Sequence, residues 1–178
     1  GGQVFRILME SNNLTGTIPA ELGSLTTLSD LRLNSNNMTG TIPAELGNLT
    51  TLSILNFSDN SLTGALPAEL GNLAALRILW LHENKLTGSI PVALGSLSAL
   101  NDLRLFDNNL TGSIPAEIGN LAALATLLLD SNALSGFVPL PIAVMGGKIQ
   151  QVDRSRCDFE SNPGLSMPNV QDYMDADL

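Results

Sequence analysis

The chain has 178 residues, the length of one ordinary domain or one short repeat array. At 44% hydrophobic and 14% charged residues, the composition argues against disorder over most of its length. Seventeen acidic against eight basic residues give a net charge of −9, which offers nothing to offset phosphate repulsion and argues against nucleic acid or an anionic membrane surface as partner.

In chain order, the first predicted element is a strand carrying the apolar pair Ile7 and Met9, whose spacing of two buries one face. Asn12 ends it. Leu14-Thr15-Gly16-Thr17-Ile18-Pro19 then turns and runs extended, because a proline keeps the residue before it out of the helical region. Ala20-Glu21-Leu22-Gly23 reads as a short helical turn stopped by its glycine. Leu25 and Leu28 lead into the next strand, Leu31/Leu33, and the unit begins again.

The period is 24 residues without insertion. Leu14-Thr15-Gly16 recurs as Met38-Thr39-Gly40, Leu62-Thr63-Gly64, Leu86-Thr87-Gly88, Leu110-Thr111-Gly112 and Leu134-Ser135-Gly136. The strand pairs recur as Leu55/Phe57, Leu79/Leu81, Leu103/Leu105 and Leu127/Leu129. So strict a beat means one structural unit stacked on copies of itself, with successive strands parallel. Asn12, Asn36, Asn60, Asn84, Asn108 and Asn132 are expected to form a buried ladder, each amide satisfying backbone groups of its own and neighbouring turns.

The pattern L-x-x-L-x-L-x-x-N-x-L-T-G-x-I-P-x-x-L-G-x-L, held over roughly residues 4–145, resembles the plant-type leucine-rich repeat family. The resemblance implies an α/β solenoid: a right-handed superhelix of six 24-residue repeats, with a parallel sheet on its concave side, short 3-10 or helical convex turns and extra short strands from the Leu-Thr-Gly segment. It implies a non-enzymatic recognition module similar to receptor kinase ectodomains and to polygalacturonase-inhibitor-type proteins, with an extracellular setting. The single cysteine, Cys157, and the lack of a basic-then-apolar leader are also compatible with the cytosol.

Three segments are expected: repeats over 1–145, a degenerate seventh turn and C-terminal cap over 146–165, and an acidic tail over 166–178 that carries Asp172, Asp175 and Asp177. Ile149, Val152, Arg154, Cys157 and Phe159 fit the repeat one residue late, which puts Cys157 at the asparagine position. The usual cap has two cysteines. With one, the cap is expected to hold by packing. The first strand starts almost at once, leaving Val4, Ile7 and Met9 an open edge that a homodimer could cover.

Strand residues between the buried leucines stack into outward columns. One reads Leu8, Arg32, Asn56, Trp80, Arg104, Leu128; the next Glu10, Asn34, Ser58, His82, Phe106, Asp130; a third Arg6, Asp30, Ile54, Ile78, Asp102, Thr126. Trp80, His82, Arg104 and Phe106, with Arg32, Ile78 and Asp102 around them, have the composition of a binding hot spot and are the candidate contacts for a protein or peptide partner.

Catalysis is not expected. His82 lacks a nucleophile partner, there is no Gly-x-Ser-x-Gly elbow or phosphate loop, and a short arc offers only an open trough. No cofactor is implied, and the row Asp59, Glu83, Asp107 needs only solvent rather than a metal. No run of eighteen apolar residues occurs, so no membrane insertion is expected. Sequons begin at Asn13, Asn37, Asn48, Asn56 and Asn109. A second class of function, adsorption to ice or polysaccharide, would use the threonine row Thr15, Thr39, Thr63, Thr87 and Thr111. A third is a scaffold assembling through its first turn.

Overall fold

The computed structural model describes residues 3–139, 157, 158 and 161–166. Most of the expected cap and all of the tail from 167 onward, with Ile149, Val152, Arg154 and Phe159, lie outside the described residues.

The period-two pairs form strands of one sheet. Its members are β1 (Arg6–Leu8), β3 (Asp30–Arg32), β5 (Ile54–Asn56), β7 (Ile78–Trp80), β9 (Asp102–Arg104), β11 (Thr126–Leu128) and β13 (Cys157–Asp158), paired in that order and all parallel. The Leu-Thr-Gly segments form a second layer of short strands. Strands β2 (Thr15–Thr17) and β4 (Asn37–Thr39) make a pair. Strands β6 (Thr63–Ala65), β8 (Lys85–Gly88), β10 (Asn109–Gly112), β12 (Ala133–Phe137) and β14 (Gly164–Ser166) make a five-stranded parallel sheet. The remaining side carries 3-10 turns at Ala20–Ser24, Ala44–Asn48, Ala68–Asn72, Val92–Ser96 and Ala116–Asn120, each preceded by a proline in extended conformation. This is the solenoid that the 24-residue beat predicts.

One apolar column fills the space between these layers. Leu28, Leu52, Leu76 and Leu100 are fully buried, as are Leu55, Phe57, Leu79, Leu81, Leu103 and Leu105 of the strands. Ile18, Ile42, Leu66, Ile90, Ile114 and Val138, the residues before each proline, close it from the second side. Fully burying one such side chain stabilises the fold by about 1.5–3 kcal/mol, and no single turn could bury its own face.

The asparagines carry the polar side of the core. Asn84 Oδ1 accepts from the Leu62 N–H at 2.9 Å, while its Nδ2 donates to the carbonyls of Phe57, Leu81 and His82 at 3.0–3.2 Å. Asn36, Asn60, Asn108 and Asn132 repeat the pattern. Asn12 departs from the expected buried ladder: it is exposed, and among the described residues its amide donates to the Glu10 carbonyl alone.

The seventh turn takes a different register from the expected one. Cys157 pairs with Leu127 and Asp158 with Leu128, so Cys157 occupies the strand-leucine position rather than the asparagine position. Asn162 supplies the ladder instead: its Oδ1 accepts from the Leu134 N–H at 3.0 Å, and its Nδ2 donates to the Leu129 carbonyl at 2.9 Å. The backbone agrees. Ser161 has positive φ, like the residue before each ladder asparagine: Ser11, Ser35, Asp59, Glu83, Asp107 and Ser131.

The convex glycines do not act as helix stops. Gly71 lies inside its 3-10 turn, and a Cβ there would sit 2.4 Å from the Ala93 carbonyl oxygen of the next turn. Gly23, Gly47 and Gly95 face the same close approach, so these residues set how tightly the turns stack. Thr39 and Thr63 donate their hydroxyls to the carbonyls of Gly16 and Gly40 at 3.3 Å, which ties turn to turn and gives the threonine row a role within the fold. Among the described residues, no helix is long and apolar enough to cross a membrane.

Candidate binding face

Strands β5, β7 and β9 fix the outward columns by register. Asn56 stands beside Trp80, Trp80 beside Arg104, and Ile78 beside Asp102. Inward neighbours Leu55, Leu79 and Leu103 are fully buried, so alternation forces these side chains onto the open face.

The centre of that face is a connected stack. The Arg104 guanidinium carbon lies 4.4 Å from the centre of the Trp80 ring. Asp102 grips the same guanidinium at Nε (3.0 Å to Oδ1) and Nη2 (2.8 Å to Oδ2). Trp80 meets His82 edge-on at 6.3 Å, and His82 stacks on Phe106 at 4.3 Å with the rings 16° apart. The fork between Asp102 and Arg104 fixes a long side chain that would otherwise sample many rotamers.

Five of the seven candidate contacts are therefore brought together: Trp80, His82, Arg104, Phe106 and Asp102. Ile78 flanks them, half-buried in the Asp102 column. Arg32 stands apart in a second fork, with Asp30 at 2.9 Å and Glu10 at 4.0 Å.

Between the forks the face is more closed than the sequence implies. Asn56 and Ser58 are buried, not solvated, and Asn56 Oδ1 accepts from both the N–H and the hydroxyl of Ser58, at 3.1 and 2.8 Å. Asp30 is buried too, under Arg6 and Arg32. Period two alone assigns these residues to the outside; it does not show that long neighbours fold over them.

Among the described residues, three buried side-chain atoms have no hydrogen-bond partner within the chain: Asn34 Oδ1, Trp80 Nε1 and His82 Nδ1. All three belong to the outward columns of this one face. Unsatisfied buried polar atoms cost stability, about 1–3 kcal/mol each, and they concentrate where a fold serves something besides itself. Asn34 was not a sequence candidate, although it shares the column of His82.

Burial pushes the His82 imidazole below its ordinary pKa of 6.5; the Arg104 charge adds to this, while Asp102, Asp107 and Asp59 oppose it. The net effect favours the neutral imidazole. Asp59, Glu83 and Asp107 are exposed, one residue beyond Ser58, His82 and Phe106. Among the described residues, no group of three or more His, Cys, Asp or Glu side chains converges on a metal site.

A repeating parallel sheet backed by 3-10 turns, with an asparagine ladder at the bend, defines a leucine-rich repeat solenoid. A family model described as a leucine-rich repeat region matches residues 3–135, and the chain belongs to that family, in its plant-type class. No curated protein matches it. Among solved structures, it is similar to the ectodomain of the plant membrane receptor kinase GASSHO1/SCHENGEN3 from Arabidopsis thaliana, solved in complex with CASPARIAN STRIP INTEGRITY FACTOR 2. Identity is 41% and the TM-score 0.78, over 79% of this chain and 17% of that one. The structure of the Arabidopsis receptor kinase HAESA with the peptide hormone IDA and the co-receptor SERK1 contains a similar chain, at 30% identity and a TM-score of 0.82, over 94% of this chain and 30% of that one. A chain of the Arabidopsis thaliana BIR3–SERK2 complex matches at 33% identity and a TM-score of 0.68, over 75% of this chain and 71% of its own. The chain thus spans 17% and 30% of the first two receptor chains it resembles.

Proposed function

We propose that this chain is a non-enzymatic recognition module that binds a protein or peptide on the open, concave face of its seven-stranded sheet. The single observation that supports this most is the pre-ordered stack of Trp80, Arg104, His82 and Phe106, held by Asp102 and carrying two unpartnered polar atoms, Trp80 Nε1 and His82 Nδ1. A rigid surface loses little entropy on docking, and Trp and Arg are the side chains that anchor interfaces most often. Similar structures support the same reading: one receptor ectodomain is in complex with CASPARIAN STRIP INTEGRITY FACTOR 2, and another receptor kinase with a peptide hormone and a co-receptor.

The test uses the protein and its Trp80→Ala variant as paired baits against a displayed peptide library. Peptides enriched by the first and lost by the second, weakened by about 2 kcal/mol or more, are the expected outcome. Equal enrichment by both baits rejects this face.

A second reading is self-assembly through the first turn. Val4, Phe5, Leu8 and Met9 there are 41–56% exposed and, among the described residues, are the large exposed apolar side chains apart from Val92 and Phe137. Light scattering across a concentration series that finds only monomer would reject it.

A further inference from the structure

The charge of the binding face narrows the chemistry of its partner; this step rests on the docking reading above. Every guanidinium of the face is engaged within it: Arg6 with Asp30, Arg32 with Asp30 and Glu10, Arg104 with Asp102. The other bases among the described residues, Arg77 just before strand β7 and Lys85 at the start of strand β8, are exposed and in no ion pair. Asp59, Glu83 and Asp107 take part in no ion pair among the described residues.

These acids are not required by the fold. The position before each ladder asparagine has positive φ, and serine fills it in four turns, as Ser11, Ser35, Ser131 and Ser161. It is acidic only in the three consecutive turns that carry Asn56, Trp80 with His82, and Arg104 with Phe106. The row is also fixed in place. The Asp59, Glu83 and Asp107 N–H groups bond to the carbonyls of His82, Phe106 and Asp130 at 3.1–3.2 Å, which sets the three carboxyl-bearing residues about one strand spacing, roughly 4.8 Å, apart. Like charges at that spacing repel in the free protein, and a cationic partner relieves the repulsion. Burial of His82 disfavours a competing positive charge beside the row.

We infer that the occupant of this face is an extended basic peptide segment, whose Lys or Arg side chains lie along the Asp59–Glu83–Asp107 row while an apolar side chain rests on the His82–Phe106 stack. Acidic rows of this kind steer a cationic partner to the face and set its register, and the aromatic stack supplies the desolvated contact.

Three synthetic peptides that share their apolar positions and carry Lys and Arg, Gln, or Glu elsewhere test this by fluorescence anisotropy. The expected order is basic first, about tenfold weaker binding for the Gln peptide, and none for the Glu peptide. The triple variant Asp59→Asn, Glu83→Gln, Asp107→Asn keeps side-chain size and removes three charges; it should weaken the basic peptide about tenfold. A control triple on the opposite side, Glu45→Gln, Glu69→Gln, Glu117→Gln, removes the same charge and should change binding less than about twofold. Equal losses from both triples, equal binding of the basic and Gln peptides, or no binding by any peptide overturns the inference. If the Gln peptide binds as well as the basic one and Trp80→Ala abolishes both, the charge reading falls while the docking reading stands. If Trp80→Ala leaves the basic peptide bound, the docking reading centred on Trp80 is the one that falls.

Discussion

Arg104 lies over Trp80, its guanidinium carbon 4.4 Å from the ring centre, and it stays there because Asp102 binds it through two hydrogen bonds. The three residues come from adjacent strands, β7 and β9, whose register puts Trp80 opposite Arg104 and Ile78 opposite Asp102. The stack is thus fixed from below by the sheet and from the side by a carboxylate. Exposed cation–π contacts contribute only about 0.5–1 kcal/mol, so the consequence of this arrangement is order more than stability.

Trp80 is the sole tryptophan of the chain, which makes its fluorescence a direct reporter of that order. Asp102→Asn should free the guanidinium, and Arg104→Ala should uncover the ring. Both variants are expected to raise the rate of acrylamide quenching and shift the emission to the red, with a change in unfolding free energy of about 1 kcal/mol or less. Spectra identical to those of the parent protein would mean that the stack is not formed in solution.

His82 gives the face a pH dependence of known sign. Its imidazole is held below 6.5, first by burial and then by Arg104. As pH falls through the ordinary histidine range, the unfolded chain takes up a proton before the folded one, so stability drops in that window and levels off below the lowered folded value. Above the window both forms are neutral and His82 contributes no slope. Replacing His82 by Gln should flatten the urea midpoint between neutral pH and pH about 5, relative to the parent, while carboxylates affect both proteins alike. Parallel midpoints for the two proteins would contradict the lowered pKa.

Much of this was legible in the sequence because a strict 24-residue period turns positions into columns. The neighbours Trp80 and Arg104, and His82 and Phe106, follow from the period alone, and the structure brings both pairs into contact. What the period could not show lies between turns or off the beat. Gly71 looks like a helix stop within its own repeat; only the next repeat's Ala93 carbonyl, 2.4 Å from where a Cβ would go, reveals its role. The period places Asn56 between Arg32 and Trp80 in an outward column but does not show that it is buried there. The seventh turn starts 30 residues after the sixth rather than 24, as the pairing of Leu127 with Cys157 records, so counting forward misplaces it. A signal was present even so: Ser-Asn recurs at Ser11-Asn12, Ser35-Asn36, Ser131-Asn132 and Ser161-Asn162.

The ladder predicts a gradient of mutational cost along the solenoid. Asn108 is buried; it accepts from the Leu86 N–H and donates to the carbonyls of Leu81, Leu105 and Phe106. Asn108→Ala strands a buried donor and several carbonyls, at a cost of about 3 kcal/mol or more. Asn12→Ala removes one exposed hydrogen bond to Glu10, worth about 1 kcal/mol at most. Urea unfolding of both variants measures the difference, and similar midpoints would show that the amides are dispensable to the core.

Burial also sorts the five sequons. The Asn13, Asn37, Asn48 and Asn109 side chains are exposed; Asn37 and Asn109 begin short strands, and Asn48 ends a 3-10 turn. Asn56 is 6% exposed, and its Oδ1 is occupied by the Ser58 N–H and hydroxyl, the same serine that completes its sequon. A transferase that acts on the folded chain cannot reach that amide, and a glycan there would have to displace Arg32 or Trp80, its neighbours on strands β3 and β7. Expressed through a secretory pathway, the protein should carry sugar only at exposed sequons, as read by mass spectrometry of its tryptic peptides. Glycan on Asn56 of folded protein would mean that the centre of the face is open where the structure closes it, and with that the pre-ordered stack beside it would fail as an anchor.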